Sequence, residues 1–382
     1  MTRISDLPQD LIEEILSRVP LTSQRAARST CKQWNGLYKD ENFTKKHRGK
    51  AANDTMMIMV YDSRVRLVSV DLHGIHKQKR GLFELSTELI GILKRIEVFE
   101  VYHCDGLLLC LTDCRMMKPD DPVVWNPYLG QVRWIKPRRK LAISGSYRYC
   151  MGYDNKNNHK ILRFLDHDDG TAEHDIYDFK SDSWRVLDLT SDWIILDYRE
   201  GLSLKGNTYF VAREREVEYR ESLICFDFTS ERFRHCLDLE SNYRNGDTVI
   251  LSAVREEQLA VLFSRVDTNT IEIRITTKIE ANEVSWRNFL KVDVEPSMLR
   301  GMFSGFPSYR SSFLVDEKKK VALIYDNVFT SAYMIAENNY SNIVARGRTT
   351  CWPPVVCSYV PSSVQIQKGP VHARGKRKLR DF

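Results

Sequence analysis

One short pattern recurs along the chain and restricts its fold more than any other feature. Ile176-Tyr177-Asp178-Phe179-Lys180-Ser181-Asp182-Ser183-Trp184-Arg185 matches Cys225-Phe226-Asp227-Phe228-Thr229-Ser230-Glu231-Arg232-Phe233-Arg234 almost position for position. Both read aromatic-Asp-Phe, four turn residues, then aromatic-Arg. A looser copy runs from Trp125-Asn126-Pro127-Tyr128 through Gly130 to Arg133, with Arg again eight positions after the first aromatic. Ser285-Trp286-Arg287 supplies a fourth apolar-Arg pair. An Asp or Asn closes such a turn by accepting backbone N–H bonds, and the flanking aromatics pair across two antiparallel strands. The pattern therefore encodes a β-hairpin, and its arginines follow one another at 52, 49 and 53 residues.

A hairpin returning every ~50 residues, each time after a further two-strand stretch, is the signature of kelch-like propeller blades. Strand-like runs fill the intervals: Met57–Val60, Val65–Val70, Gly106–Leu111, Val123–Trp125, Arg148–Tyr153, Ile161–Leu165, Leu204–Ala212, Leu223–Phe228, Leu259–Phe263, Ile271–Thr276 and Val321–Tyr325. So long a β region needs a closed or repeated architecture to hide its sheet edges. Between Thr55 and about Thr350 the period accommodates about six blades, the first and sixth weakly marked. An irregular β sandwich with coincidental turns is the competing reading.

The first fifty residues follow a different period. Pro8 fits the first turn of a helix and Asp10 its positive end. Leu11, Ile12, Ile15, Leu16 and Val19 form a wide apolar stripe, opposed by Glu13, Glu14, Ser17 and Arg18. Val19-Pro20 ends that helix, because the ring disfavours helical geometry in the residue before it. Thr22 or Ser23 can cap a second helix, and Cys31, Trp34 and Tyr38 mark one face of a third. Such short helices are marginal alone, so the stripe either packs as a helical cap or meets another protein's helices.

Leu7-Pro8, then Asp10-Leu11, Glu14-Ile15-Leu16, and Cys31-Lys32-Gln33-Trp34 resemble the F-box in order and spacing. Asp105-Gly106-Leu107-Leu108-Leu109-Cys110, Val124-Trp125-Asn126-Pro127, Met151-Gly152-Tyr153-Asp154, Ile176-Tyr177-Asp178-Phe179 and Trp184-Arg185 resemble the plant F-box-associated interaction domain of type one. Cys357 to Ser363 resembles its closing segment. The expected fold is mainly β: a kelch-like β-propeller preceded by a small all-α F-box. The expected boundaries are an F-box over 1–50, a propeller-like domain over 55–363 and a basic tail over 364–382, with a junction at Gly49–Thr55.

The resemblance implies a non-catalytic adaptor of an SCF-type ubiquitin ligase. Its F-box would dock on an SKP-family adaptor, and through it a cullin scaffold, while the β domain holds a target protein. Leu7, Pro8, Leu11, Ile12, Ile15, Leu16 and Trp34 are the residues it implies for adaptor contact, some of them shared with packing inside the F-box. The second helix departs from the pattern. Ser23-Gln24-Arg25-Ala26-Ala27-Arg28-Ser29 carries fewer large aliphatics than most F-boxes place there.

Composition narrows the alternatives. Hydrophobic content of 42% and charged content of 28% suit a soluble globular protein. No apolar run approaches the ~18 residues a membrane helix needs. Met1-Thr2-Arg3-Ile4-Ser5-Asp6 does not read as a signal peptide, so a cytoplasmic or nuclear location with reduced thiols is expected for the nine cysteines. Of the net +6, residues 368–382 supply +5, leaving a nearly neutral body with little basis for a nucleic-acid surface. Within that tail Arg374, Lys376, Arg377, Lys378 and Arg380 read either as a nuclear-import signal or as a solvated end.

The common nucleotide-binding, zinc-hydrolase and serine-hydrolase motifs do not occur, and no catalytic residue, metal or cofactor is implied. His103, Cys104, Cys110 and Cys114 are soft ligands close in sequence, but Gly106–Leu111 reads as a buried strand in which cysteine is a small apolar residue. Asp166 to Gly170 reads as a polar hairpin turn, its glycine one position early for a calcium loop. Trp125, Trp134, Trp184 and Trp286 hold repeated blade positions and are expected to pack, whereas Trp193 and Trp352 fit the repeat less well. Target contact would fall to loops such as Leu141–Tyr147, Arg213–Glu221, Glu240–Asp247 and Phe303–Arg310.

Overall fold

Among the described residues of the computed structural model, three short helices precede twenty-five strands. The structure describes residues 7–366 apart from 20, 45–54, 62–63, 78–82, 94–95, 99, 113–121, 137–146, 167–171, 190–191, 196–199, 215–219, 243–246, 256, 281–282, 297–311, 326–330, 338 and 345–354. The helices are α1 (Gln9–Ser17), α2 (Leu21–Thr30) and α3 (Lys32–Leu37). Pro8 sits just before α1 rather than inside its first turn, and its carbonyl accepts from the N–H groups of Leu11 and Ile12. Thr22 and Ser23 fall inside the first turn of α2 instead of capping it, because the helix already begins at Leu21.

The strands form six four-stranded blades around a ring. The first blade contains β1 (Thr55–Tyr61), β2 (Arg64–Lys77) and β3 (Phe83–Ile92). The second takes β4 (Glu100–Cys104), β5 (Leu107–Leu111), β6 (Val123–Asn126) and β7 (Gln131–Trp134). The third takes β8 (Arg148–Tyr153), β9 (His159–Asp166), β10 (Ala172–Asp178) and β11 (Ser183–Leu187). A two-residue β12 (Trp193–Ile194) edges the fourth, which consists of β13 (Leu202–Leu204), β14 (Asn207–Glu214), β15 (Arg220–Asp227) and β16 (Arg232–Asn242). The fifth is β17 (Thr248–Val254), β18 (Gln258–Arg265), β19 (Thr270–Glu280) and β20 (Glu283–Asp293). The sixth is β21 (Ser312–Asp316), β22 (Val321–Tyr325), β23 (Ser331–Ala336) and β24 (Asn339–Val344). Finally β25 (Val355–Ser358) pairs antiparallel with β1 and becomes the innermost strand of the first blade.

That last pairing closes the ring. The innermost strands β25, β4, β8, β13, β17 and β21 each lie against the next, and β21 returns to β25. Hydroxyls stitch them together: Ser203 donates to Met151 O, Ser252 to Phe313 O and Ser358 to Ala253 O. Blades one and six also meet at their outer strands, in a single parallel pair between Ile343 and Phe83. Between blades lie dry layers of Val, Ile, Leu and Phe drawn from both facing sheets, which supply the main burial energy.

The repeated hairpin is what its sequence predicts. Tyr177 faces Trp184 across β10 and β11 with ring centroids 5.3 Å apart, and Phe226 faces Phe233 across β15 and β16 at 5.0 Å. Asp178 Oδ1 accepts from the N–H groups of Lys180 and Ser181, and Asp227 Oδ1 from those of Thr229 and Ser230. Asn126 does the same for Leu129 in the looser copy.

Some boundaries differ. The run Leu204–Ala212 is two strands, since Lys205 (φ 49°) and Gly206 (φ 86°) adopt the left-handed geometry of a tight turn. Gly106 likewise belongs to the turn before β5, at φ 70°. The packed chain runs to Ile366, three residues past Ser363, because Ile366 is buried in the core between blades two and three. Trp125 is buried and Trp184 and Trp286 pack on core clusters, but Trp134 is 48% exposed on the outer strand β7. Trp134 follows its arginine, whereas Trp184 and Trp286 precede theirs, and the matching position of the third blade, Val186, is likewise exposed.

Candidate functional site

Strand direction alternates within each blade, so the turns after innermost and third strands lie at one end of the propeller. Those after second and fourth strands lie at the other. The helices occupy the first end. Ile12, Leu16, Tyr38 and Phe43 form a buried cluster with Tyr128 and Leu129 of the β6–β7 turn, and α2 also lies against β3. Tyr38 Oη donates to Leu16 O at 3.1 Å, and its ring meets Phe43 edge-on at 5.1 Å. Burial pushes the Tyr38 phenol up to about 12, so it stays a neutral donor.

The apolar stripe of α1 is thereby divided. Ile12 and Leu16 are 2% and 1% exposed and face the propeller turn. Leu11 and Ile15, each one position earlier, are 47% and 42% exposed. Four residues apart, they stack on one helix face as an uncovered apolar ridge. Pro8 is exposed at its N-terminal end, while Leu7 and Trp34 are half-buried against the cluster. Cys31 caps α3 by accepting from the Trp34 N–H, and Gln33 Nε2 donates to Gln9 Oε1 at 2.9 Å, tying α3 to α1. Of the seven residues read from the sequence, five reach the surface wholly or in part, and two are internal.

The described strands that flank the target loops read from the sequence end on the other side of the propeller. The strand ends that flank 137–146, 215–219, 243–246 and 297–311 belong to second or fourth strands and their successors, pointing away from the helices. Those segments themselves lie outside the described residues, as do 167–170, Cys114, Trp352 and the basic residues 374–380. Near that end Trp193 stacks on His235 with centroids 5.3 Å apart, and His235 Nε2 lies 3.0 Å from Asp238 Oδ1. Cys104 and Cys110 join core clusters on opposite faces of the second blade, so the two thiols cannot converge on one ion. His103 Nε2 accepts from the Gly106 N–H at 3.2 Å.

A six-bladed ring with a three-helix module on one end is matched by comparison with known families. The F-box associated beta propeller domain matches residues 56–366, and the F-box domain matches residues 4–46. The chain belongs to the F-box proteins. Among its relatives in Arabidopsis thaliana, the putative F-box protein At3g19560 is 45% identical over 377 residues, covering 96% of this chain and 99% of that one. F-box/kelch-repeat protein At3g13680 is 42% identical over 412 residues, covering 99% of each chain. F-box proteins in general serve as non-catalytic adaptors, a role that needs two separate binding surfaces and no reactive group. Among the described residues no helix is long and apolar enough to cross a membrane.

What sequence reasoning missed is Tyr128 and Leu129. The Pro127–Gly130 stretch reads as a generic turn, and nothing local marks its two apolar side chains as part of the F-box core. The one available signal was the scarcity of large aliphatics in α2, which left that core short of partners.

Proposed function

We propose that this F-box protein is the target-recognition subunit of an SCF-type ubiquitin ligase, working in the cytoplasm or nucleus. Its F-box docks on an SKP-family adaptor, and a cullin scaffold joins through that adaptor. The observation that carries this reading is the uncovered Leu11–Ile15 ridge, standing on a helix whose neighbouring Ile12 and Leu16 are fully buried. A monomer has no need to leave two large aliphatics side by side on a helix, and a helical partner would cover them. Pro8, Leu7 and Trp34 border the ridge, while Ile12 and Leu16 hold α1 in place. The loop end of the propeller captures the target, and joining the two events raises the effective concentration of a target lysine at the conjugating enzyme.

The test is binding of purified SKP-family adaptor to the full chain and to Leu11→Asp/Ile15→Asp, with folding followed by circular dichroism. Charge placed in an apolar helix interface should weaken binding at least ~30-fold. A well-folded wild type that does not bind the adaptor would overturn the reading and leave a propeller scaffold uncoupled from ubiquitin transfer.

A further inference from the structure

The second helix turns one arginine onto the propeller. Arg28 Nη1 donates to Tyr128 O at 2.8 Å and Nη2 to Leu129 O at 3.1 Å, while Nε reaches Asn35 Oδ1 of α3 at 3.4 Å. One rigid guanidinium thus spans two helices and two successive carbonyls of the β6–β7 turn, a forked geometry that lysine cannot reproduce.

The turn that receives it is itself held from behind. Asn126 Oδ1 accepts from Leu129 N, and Asn126 O accepts from Gly130 N at 2.8 Å. Asn126 Nδ2 donates to Ser362 O and Val364 O, at 3.0 and 2.8 Å, in the closing segment of the chain. Asn126 is fully buried, so these bonds are shielded from competing water. The N-terminal helices, the second blade and the closing segment therefore meet at four residues, 126–129. Around them Tyr128 and Leu129 fill the core of the helical module, taking the place of the aliphatics that α2 lacks.

We propose that Arg28 is a positioning residue: it locks the helical module to the propeller so that the Leu11–Ile15 ridge keeps one orientation relative to the loop end. This rests on the adaptor reading for its consequence in the cell, since a fixed angle matters when one end carries the ligase and the other the target. The lock itself is independent of that reading.

The experiment uses the full chain, with spin labels on ketone-bearing unnatural residues at positions 32 and 180, two exposed sites on α3 and on the third blade. Distance distributions are recorded without adaptor for wild type, Arg28→Ala, Arg28→Gln and Arg28→Lys, and adaptor affinity is measured separately. Wild type should give one narrow distance, and Arg28→Ala one at least twice as wide, with helical content kept and adaptor affinity within about twofold. Arg28→Lys should fall between them, because an ammonium on a flexible stem keeps the charge and some of the bonds but not the rigid fork. Should Arg28→Ala lose its helices, Arg28→Gln, with good helix propensity and no charge, takes its place. A variant distribution as narrow as the wild type's, or a broad one in the wild type itself, overturns the proposal. Failure of wild type to bind adaptor, with the distances behaving as stated, would count against the ligase reading alone.

Discussion

Arg133 on the outer strand of the second blade donates to Asp182 in the outer turn of the third at 2.6 Å. The same nitrogen donates to Tyr177 Oη at 2.8 Å, and the guanidinium carbon stands 5.0 Å from the centre of the Phe179 ring. The relationship repeats around part of the ring. Arg185 pairs with Glu231 of the fourth blade and Arg287 with Glu317 of the sixth, whereas Arg234 turns back to Asp227 of its own hairpin. The recurring arginine is thus mostly a strut between blades. Its acidic partner occupies a tight turn, with Asp182 and Glu231 at φ 53° and 57°.

The struts should differ in strength according to burial. Arg133 is 5% exposed, and its removal takes away a buried guanidinium packed on Phe179 and its bonds to Tyr177 and Asp182, although the Tyr177 hydroxyl still donates to Asp182, so Arg133→Ala should cost about 1–3 kcal/mol in urea denaturation. Arg133→Lys should recover only part of this. Arg185 is 52% exposed, and Arg185→Ala should stay within about 1 kcal/mol. Equal losses at the two sites would contradict the burial argument.

Two glycines separate backbone conformation from packing. Gly106 and Gly130 have φ of 70° and 66°, so alanine carries a similar conformational cost of about 1 kcal/mol at either. A Cβ on Gly130 meets nothing within 4 Å, whereas one on Gly106 would stand 2.4 Å from Ser362 Cβ and 2.7 Å from Val360 O. Gly106→Ala should therefore be worse than Gly130→Ala by about 1–3 kcal/mol. Parity in thermal melts would mean that the closing segment does not press on the second blade.

Substitutions along α1 should sort by face. Ile12→Ala and Leu16→Ala empty the cluster shared with Tyr128 and should each cost about 2–5 kcal/mol of local stability. Leu11→Ala and Ile15→Ala remove exposed side chains and should stay within about 0.5 kcal/mol. Hydrogen exchange of the helix amides reads this directly. Rapid exchange in the outward pair would show that the ridge supports the fold after all.

A pH dependence follows from Asp154. Partial burial favours its neutral form, but the N–H groups of Asn158 and Lys156 and the Lys160 ammonium at 3.1 Å outweigh that and hold it below the usual carboxylate range. A carboxylate depressed in the folded state adds stability above its unfolded value, near 3.8, and loses it as the pH falls through the lower folded value. Asp154→Asn should thus melt below wild type at pH 7, with the gap closing below about pH 4. A gap that persists into acid would assign the effect to turn geometry.

The repeated hairpin was legible because it is local. Asp178 and its two N–H donors lie within three residues, so the turn is written in adjacent letters. The amphipathic period of α1 was legible for the same reason. The turn at Lys205-Gly206 was not, because the apolar residues on either side read as one continuous strand, although the glycine was a usable signal. Exposure of Trp134 was hidden too. Trp134 stands one place after the recurring arginine instead of one before it, and that a side chain there is left uncovered shows only once the blades are packed.

By itself, then, the sequence determined the helical period of α1, the hairpin repeat that makes a propeller and the family. The tertiary structure decided which half of the α1 stripe faces outward, where each arginine finds its acid, and how the ring is sealed. Those outcomes depend on pairs such as Arg28 with Tyr128, or Asn126 with Ser362, 100 and 236 residues apart in the chain. Contacts at that range are selected by how whole blades pack and close, and no local pattern of side chains encodes them.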